Sequence, residues 1–285
     1  MPRIEEKWKN LSWAVSAPLA AAVLALKVFG QPYASYAFHH GLVTSMIIAL
    51  LPPAILDFLD YRWRKAIDRA LPRLLEGVAH GQLTGLSLIR AFKEASDNVP
   101  RPLRDEIKLM LAKVSWGLSL EEALKLFERR ARTPLAHRVA TLIVEANRSG
   151  GYVERIFAPM AEATSTFQAM EDERKAELKP YIIIMYLSFV IFLIVTGVLY
   201  TRFFAPVTTT PMPFLTPLMD PMSCWILLYH MGVVLAVFSG LIAGILGEGR
   251  FYGGLKHIVV MLLMALIAFK QIVEPGWFLR LLGLA

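Results

Sequence analysis

The chain has 285 residues, of which 56% are hydrophobic and 19% are charged, and its formal net charge is +7. Soluble proteins average about half apolar and about a quarter charged residues, so this composition excludes an ordinary soluble protein and places much of the chain in lipid. The single cysteine excludes an intramolecular disulfide and a thiolate metal cage.

Five apolar stretches approach or reach the length of about 17 to 25 residues that a helix needs to cross a bilayer. In chain order they cover residues 13–29, 35–56, 181–200, 224–246 and 258–273. Pro18 interrupts the first stretch, Pro52 and Pro53 end the second, and Lys270 lies in the last. We therefore expect an all-α, polytopic membrane protein with about five transmembrane helices.

The charges between these stretches predict an orientation, because loops on the cytoplasmic side are enriched in Lys and Arg. Basic residues precede the first stretch, whereas residues 31–40 after it contain no Lys or Arg. Residues 57–179 hold 21 of the 30 basic residues of the chain. This distribution predicts a cytoplasmic N-terminus, a large cytoplasmic segment between the second and third spans, and a C-terminus outside the cell.

Three regions follow from this division. Residues 1–56 form an N-terminal membrane region with two spans, residues 57–180 a cytoplasmic domain, and residues 181–285 a C-terminal membrane region with three spans. In the middle region apolar residues recur at helical spacing and almost never alternate, as in Leu103, Ile107 and Met110. The pattern predicts a cytoplasmic antiparallel helical bundle without strands.

The middle region contains one short motif twice, because GLSL occurs at residues 85–88 and again at 117–120. Glycine suits the left-handed position after a helix end, and serine caps the helix that follows. Glu122 after the second copy predicts a capping box, whereas Arg90 after the first predicts a weaker cap. The repeat indicates two related helical hairpins. A glycine pair further along predicts a third corner. The residues predicted to form the three structural corners are Gly85, Ser87, Gly117, Ser119, Gly150 and Gly151.

Basic residues between positions 101 and 132 form a candidate docking surface, because charge complementarity orients a partner protein. A plain solvated face explains them equally well. These residues are Arg101, Arg104, Lys108, Lys125, Arg129, Arg130 and Arg132.

Small residues recur every four positions in the fourth apolar stretch, at Gly232, Ala236, Gly240 and Gly244. In lipid such a row allows a second helix to approach closely, because tight packing is the main attraction between helices there. The partner helix is either another span of the same chain, a pilin helix, or a second copy of the chain.

No motif indicates catalysis or cofactor binding. A phosphate-binding loop of the form GxxxxGK[ST] is absent, and the glycine-rich residues 247–254 follow an apolar stretch instead of a strand. None of the six histidines forms an HxxxH pair. The charges of residues 57–179 nearly cancel, which disfavours nucleic acid. We expect a non-enzymatic protein without metal or cofactor.

Three segments carry a resemblance to a known family: LPRLLEGVAHGQLTGLSLIRAF from Leu71, GLSLEEALKLFERR from Gly117 and IVEANRSGGYVERIF from Ile143. They resemble the type II secretion F-domain family, the inner-membrane platform proteins of type IV filament machines, over roughly residues 69–200. Two spans before a single domain are most similar to the Tad-type and to the archaeal pilus and archaellum members. The segment of residues 240–257 is similar to the archaeal members in particular.

The resemblance implies a membrane platform at the base of a type IV filament or a type II secretion-like machine, in the cell membrane. It implies contact with a cytoplasmic hexameric secretion ATPase and with pilin-like subunits, whose insertion or extraction the ATPase would drive. Bacterial members usually carry two copies of the domain, so the single copy here implies a homodimer or a heteromer with a second F-domain protein. The alternative is a channel or permease subunit that moves a solute through its spans.

Overall fold

The computed structural model describes residues 4–28, 31–33, 35–148, 154–204, 206 and 220–274. Within these ranges all regular secondary structure is helical, which confirms the all-α prediction. The α-helices are α1 (Glu6–Val28), α2 (Tyr36–Leu83), α3 (Leu88–Asp97), α4 (Leu103–Ser115), α5 (Leu120–Ala131), α6 (Pro134–Arg148), α7 (Glu154–Leu199), α8 (Pro221–Glu248) and α9 (Leu255–Val273). A π-helical turn, Tyr200–Phe204, follows α7, and a 3₁₀ turn, Tyr252–Gly254, precedes α9.

Five helices are long and apolar enough to cross a membrane, as the sequence predicts, namely α1, α2, α7, α8 and α9. Two of them extend well beyond the apolar stretch, since α2 has 48 residues and α7 has 46. Helix α2 continues through Pro52 and Pro53, so the prolines at the end of the second apolar stretch do not end the helix. Proline is tolerated inside membrane helices, where neighbouring groups can satisfy the freed carbonyls.

The chain divides into two compact units. One, here called the bundle unit, covers Leu59–Arg174, and the other, the apolar unit, covers Ile4–Phe58 together with Lys175–Ala285. Helices α2 and α7 each contribute residues to both units, whereas α3 to α6 belong to the bundle unit and α8 and α9 to the apolar unit.

The bundle unit has a single apolar core formed by the buried faces of its amphipathic helices. Helix α3 packs on α4, α4 on α5, and α5 on α6, each pair joined by a short connection and therefore antiparallel. The rings of Phe92 in α3 and Phe157 in α7 meet edge to face, with centroids 6.0 Å apart. Both side chains are fully buried, so the first half of α7 closes the same core.

The two GLSL copies have the same backbone geometry. Gly85 and Gly117 are left-handed, with φ of 81° and 97°. The N–H of Leu86 donates to the carbonyl of Gly81 at 3.1 Å, and the N–H of Leu118 donates to that of Lys113 at 3.2 Å. This six-to-one hydrogen bond defines the Schellman ending of a helix. The repeat thus marks two equivalent corners, while the predicted corner at residues 150–151 lies outside the described residues.

The two corners differ in the cap of the next helix, as predicted. The Ser119 hydroxyl accepts a hydrogen bond from the Glu122 N–H at 3.2 Å, and the Glu122 carboxylate accepts one from the Ser119 N–H at 3.2 Å. Ser87 has the same extended backbone but makes no side-chain cap. The start of α5 is therefore held by a capping box that α3 lacks.

Replacing Ser119 by alanine should destabilise the full-length protein by about 1 kcal/mol, the usual cost of losing an N-cap. Ser87→Ala is the matched control, because it changes the same residue type at an equivalent corner where no cap bond exists. The apparent melting temperature of both variants in detergent measures the difference. An equal loss in the two variants would contradict the assignment of the capping box.

In the apolar unit the small residues of α8 face α9 of the same chain. A Cβ built on Gly240 would lie 2.6 Å from the backbone nitrogen of Ile258, and one on Gly232 would meet the Phe269 ring at 3.4 Å. Ala236 is fully buried, and Gly244 approaches the backbone of Gly254 so closely that no side chain fits. Of the partners that the sequence left open, the structure shows packing within the chain.

Gly240→Ala should therefore lower the thermal stability of the full chain in detergent, by about 1 to 3 kcal/mol for an overpacked core. Gly197→Ala serves as control, because its Cβ would lie at an ordinary 3.4 Å from Ile272. Both changes give the same gain in helix propensity. A melting temperature that falls equally in both variants, or in neither, would contradict the close approach of α8 and α9.

Candidate functional site

The candidate sites among the described residues are surfaces of the helices. Among the described residues no three His, Cys, Asp or Glu side chains lie together where they could hold a metal ion. The candidate sites are therefore groups of charged or apolar side chains on the outside of the helices.

Three of the predicted docking residues form exposed ion pairs on the bundle unit. Lys108 lies 2.7 Å from Asp97, Lys125 lies 2.7 Å from Glu121, and Arg101 lies 3.5 Å from Asp105. Exposed pairs of this kind contribute only about 0 to 1 kcal/mol. These cations can exchange their partner for a carboxylate on another protein at little cost.

Hydrogen bonds keep two of these carboxylates ionised. Those from Lys125 and then from Arg148 hold the pKa of Glu121 below its usual range, and that from Lys108 does the same for the pKa of Asp97. Arg148 is at the end of α6, and its Nε lies 3.0 Å from Glu121 Oε2 at the start of α5. The negative charge of Glu121 is thus offset within the chain.

Arg130 and Arg132 have structural contacts. The Arg130 guanidinium donates two hydrogen bonds to the buried Glu106 carboxylate, at 2.6 and 3.0 Å, and so joins α5 to α4. Arg132 is left-handed, with φ of 53°, and its carbonyl accepts a hydrogen bond from Arg64 at 3.1 Å. Removing one partner of a buried ion pair typically costs about 3 to 5 kcal/mol, so changes at Arg130 would unsettle the fold.

Arg104 is also engaged, because its guanidinium donates to the carbonyls of Val99 and Asp97 at 3.0 and 2.9 Å. Arg129 differs from the other six, since it is exposed and forms no ion pair with any residue in the described part of the chain. It is the member of the predicted set that is best placed to meet a partner.

A second surface, which the sequence reasoning missed, lies beside the two GLSL corners. Trp116 is 79% exposed, and Leu83, Ile89 and Leu118 are exposed as well. The Lys113 ammonium lies 5.1 Å from the centre of the Trp116 ring. One feature of the sequence could have indicated this surface: Trp116 is a large aromatic residue that lies outside the apolar stripe of α4.

In the apolar unit a partly buried ionic cluster joins four helices. Asp57 of α2 lies 3.2 Å from Lys9 of α1 and 3.2 Å from Arg250, which follows α8. Arg250 also pairs with Glu248 at 2.9 Å, and Glu248 pairs with Lys256 of α9. The glycine-rich residues 247–254 thus supply charges that hold the helix ends together.

Comparison with known proteins agrees with this architecture. Residues 82–201 match the family model of the type II secretion system protein F. An uncharacterized protein of Methanocaldococcus jannaschii is 23% identical over 273 residues, which cover 94% of this chain but only 44% of the relative. The chain therefore spans less than half the length of that relative. No solved structure gives a significant match. The family match confirms the resemblance predicted from the sequence, because residues 82–201 are similar to the type II secretion system protein F family.

Proposed function

We propose that this chain is the membrane platform of a type IV filament or type II secretion-like machine. The observation that carries the proposal is the family match over residues 82–201, which begins near the end of α2 and runs through the bundle into the apolar half of α7. Five apolar helices fit a multi-pass membrane protein. The protein would act by binding other components and not by catalysing a reaction of its own.

The bundle unit would lie in the cytoplasm and bind a secretion ATPase. The basic residues concentrated in residues 57–179 support this orientation, because Lys and Arg are retained on the cytoplasmic side. On the bundle, the basic residues at positions 101–132 would steer the ATPase, and Arg129 is the exposed member without an ion pair in the described ranges. The N-terminus would then be inside the cell and the C-terminus outside.

The apolar helices would contact pilin-like subunits in the membrane. The row of small residues on α8 is filled by α9, so a pilin helix would use another apolar face, such as the exposed Ile183, Leu187 and Ile194 on α7. A second F-type domain in the assembly would be supplied by a homodimer or by another F-domain protein. In that arrangement ATP hydrolysis would move pilins through contacts made by this platform.

The test is co-purification of the full-length protein with the secretion ATPase from detergent-solubilised membranes. The wild-type protein should retain the ATPase, and Arg129→Glu should lower its recovery severalfold, because the reversed charge would repel an acidic surface complementary to the bundle. Arg73→Glu is the matched control, since Arg73 is also exposed on the bundle but lies on α2.

Failure of the wild-type protein to retain any ATPase would contradict the proposed function. An equal loss in Arg129→Glu and Arg73→Glu would show that overall charge governs binding, and would remove Arg129 as a specific contact.

A further inference from the structure

One end of the bundle unit carries both GLSL corners. Helix α2 enters the unit at Leu59 and ends at Leu83, α3 runs back, and α4 runs forward again. The connections after α2 and α4 therefore lie at the same end, opposite the end at which the chain enters the unit. The ion pair between Arg148 and Glu121 places the end of α6 and the start of α5 there too. We call this end the tip.

The tip exposes large apolar side chains. Trp116 and Leu83 are 79% and 75% exposed. Ile89 and Leu118, which belong to the same two corners, are also exposed but to a smaller extent. Leu83 ends α2, Ile89 is in the first turn of α3, and Trp116 and Leu118 lie on the connection between α4 and α5. Each corner glycine has open space around it. Exposed apolar groups edged by polar residues mark protein contact sites, and tryptophan is the residue most often found at their centre.

The charge around these side chains is positive. Lys113 lies over the Trp116 ring, and Arg90 is exposed beside the first corner, and neither forms an ion pair with a residue in the described ranges. The carboxylates of the tip are engaged within the chain, Glu121 by Lys125 and Arg148, and Glu122 by the capping box. A complementary partner would have an apolar pocket edged by Asp or Glu side chains.

The two corners form a pair of contact points. Their glycines share the left-handed conformation, and their serines have φ and ψ within a degree of each other, −63° and 150° against −63° and 151°. Each corner exposes apolar side chains, Leu83 and Ile89 at the first, Trp116 and Leu118 at the second. A partner that contacts both corners would be fixed in direction, whereas a single contact would allow it to rotate.

We propose that the tip is the surface on which the secretion ATPase anchors, with Trp116 and Leu118 inserted into an apolar pocket of the ATPase and Lys113 and Arg90 facing its carboxylates. This inference rests on the proposed function and deepens it. Most of the binding energy would come from the apolar side chains at the corners. The basic residues of α4 and α5 would speed and orient the approach of the ATPase.

The test compares the double variant Trp116→Ser, Leu118→Ser with Leu142→Ser in co-purification of the full-length protein with the ATPase. Leu142 is 51% exposed on α6 and so is a matched apolar control away from the corners. The double variant should lose the ATPase by at least about tenfold, as expected for a central aromatic anchor, and the control should retain it. Unchanged melting temperatures in detergent show that all variants are folded.

A photo-cross-linking amino acid at position 116 gives a second, independent readout. It should form a covalent adduct with the ATPase in membranes, whereas the same amino acid at position 142 should not. Lys113→Glu combined with Arg90→Glu should weaken binding and reduce its dependence on salt.

The outcomes separate the two proposals. A wild-type protein that retains no ATPase refutes the proposed function and this inference with it. If the wild-type protein and the double variant retain the ATPase equally, or if position 116 gives no adduct with it, the tip is not the anchor although the proposed function stands. An adduct between two copies of this chain would overturn the inference in favour of a self-contact.

Discussion

Helices α2 and α7 each have one apolar half, whose side chains suit lipid, and one amphipathic or charged half, whose side chains suit water. Tyr181, Ile183 and Leu187 of α7 are exposed and apolar, whereas residues 171–179 just before them are mostly charged. A helix satisfies its backbone hydrogen bonds internally and is therefore stable in either solvent. A single helix can thus continue from one unit into the other. Helices α2 and α7 do so, and they are the elements that link the two units in the chain. The bundle unit buries an apolar core like that of a soluble protein. Helices α8 and α9 instead pack closely through small residues, because in lipid van der Waals packing replaces the hydrophobic effect as the attraction between helices.

This division also sorts the charged residues by role. The buried ones are paired, as Glu106 is with Arg130 in the bundle unit and as Asp57 is with Lys9 and Arg250 in the apolar unit. Such pairs fix the relative positions of helices, and breaking them leaves a charge that burial penalises. Only charged side chains on the surface can bind a partner protein. The strongest anchor for a partner is a large apolar side chain that is exposed to solvent. On the bundle unit that description fits the corners with Trp116 better than it fits the arginines of α5.

The sequence predicted the features that depend on neighbours along the chain. Apolar length predicted the five spans, and the Gly-Leu-Ser motif predicted the two corners and the stronger cap at Ser119, because each is decided within a few residues. Features that depend on distant residues were not predictable in this way. Nothing near Arg130 indicates that Glu106, 24 positions earlier, would bind it. The row of small residues on α8 predicted a close helix but could not identify α9. The position of Trp116 after α4 was visible in the sequence, but its exposure depends on which distant residues pack around that corner.

The proposed function requires that the bundle unit lie on the cytoplasmic side of the membrane. The most direct measurement is labelling of single cysteines in intact cells with a membrane-impermeant maleimide, in a Cys224→Ser background that removes the native thiol. Gln31→Cys, between α1 and α2, should be labelled in intact cells, and Leu142→Cys, exposed on α6, only after permeabilisation. Labelling of Leu142→Cys in intact cells, with protection of Gln31→Cys, would contradict the account.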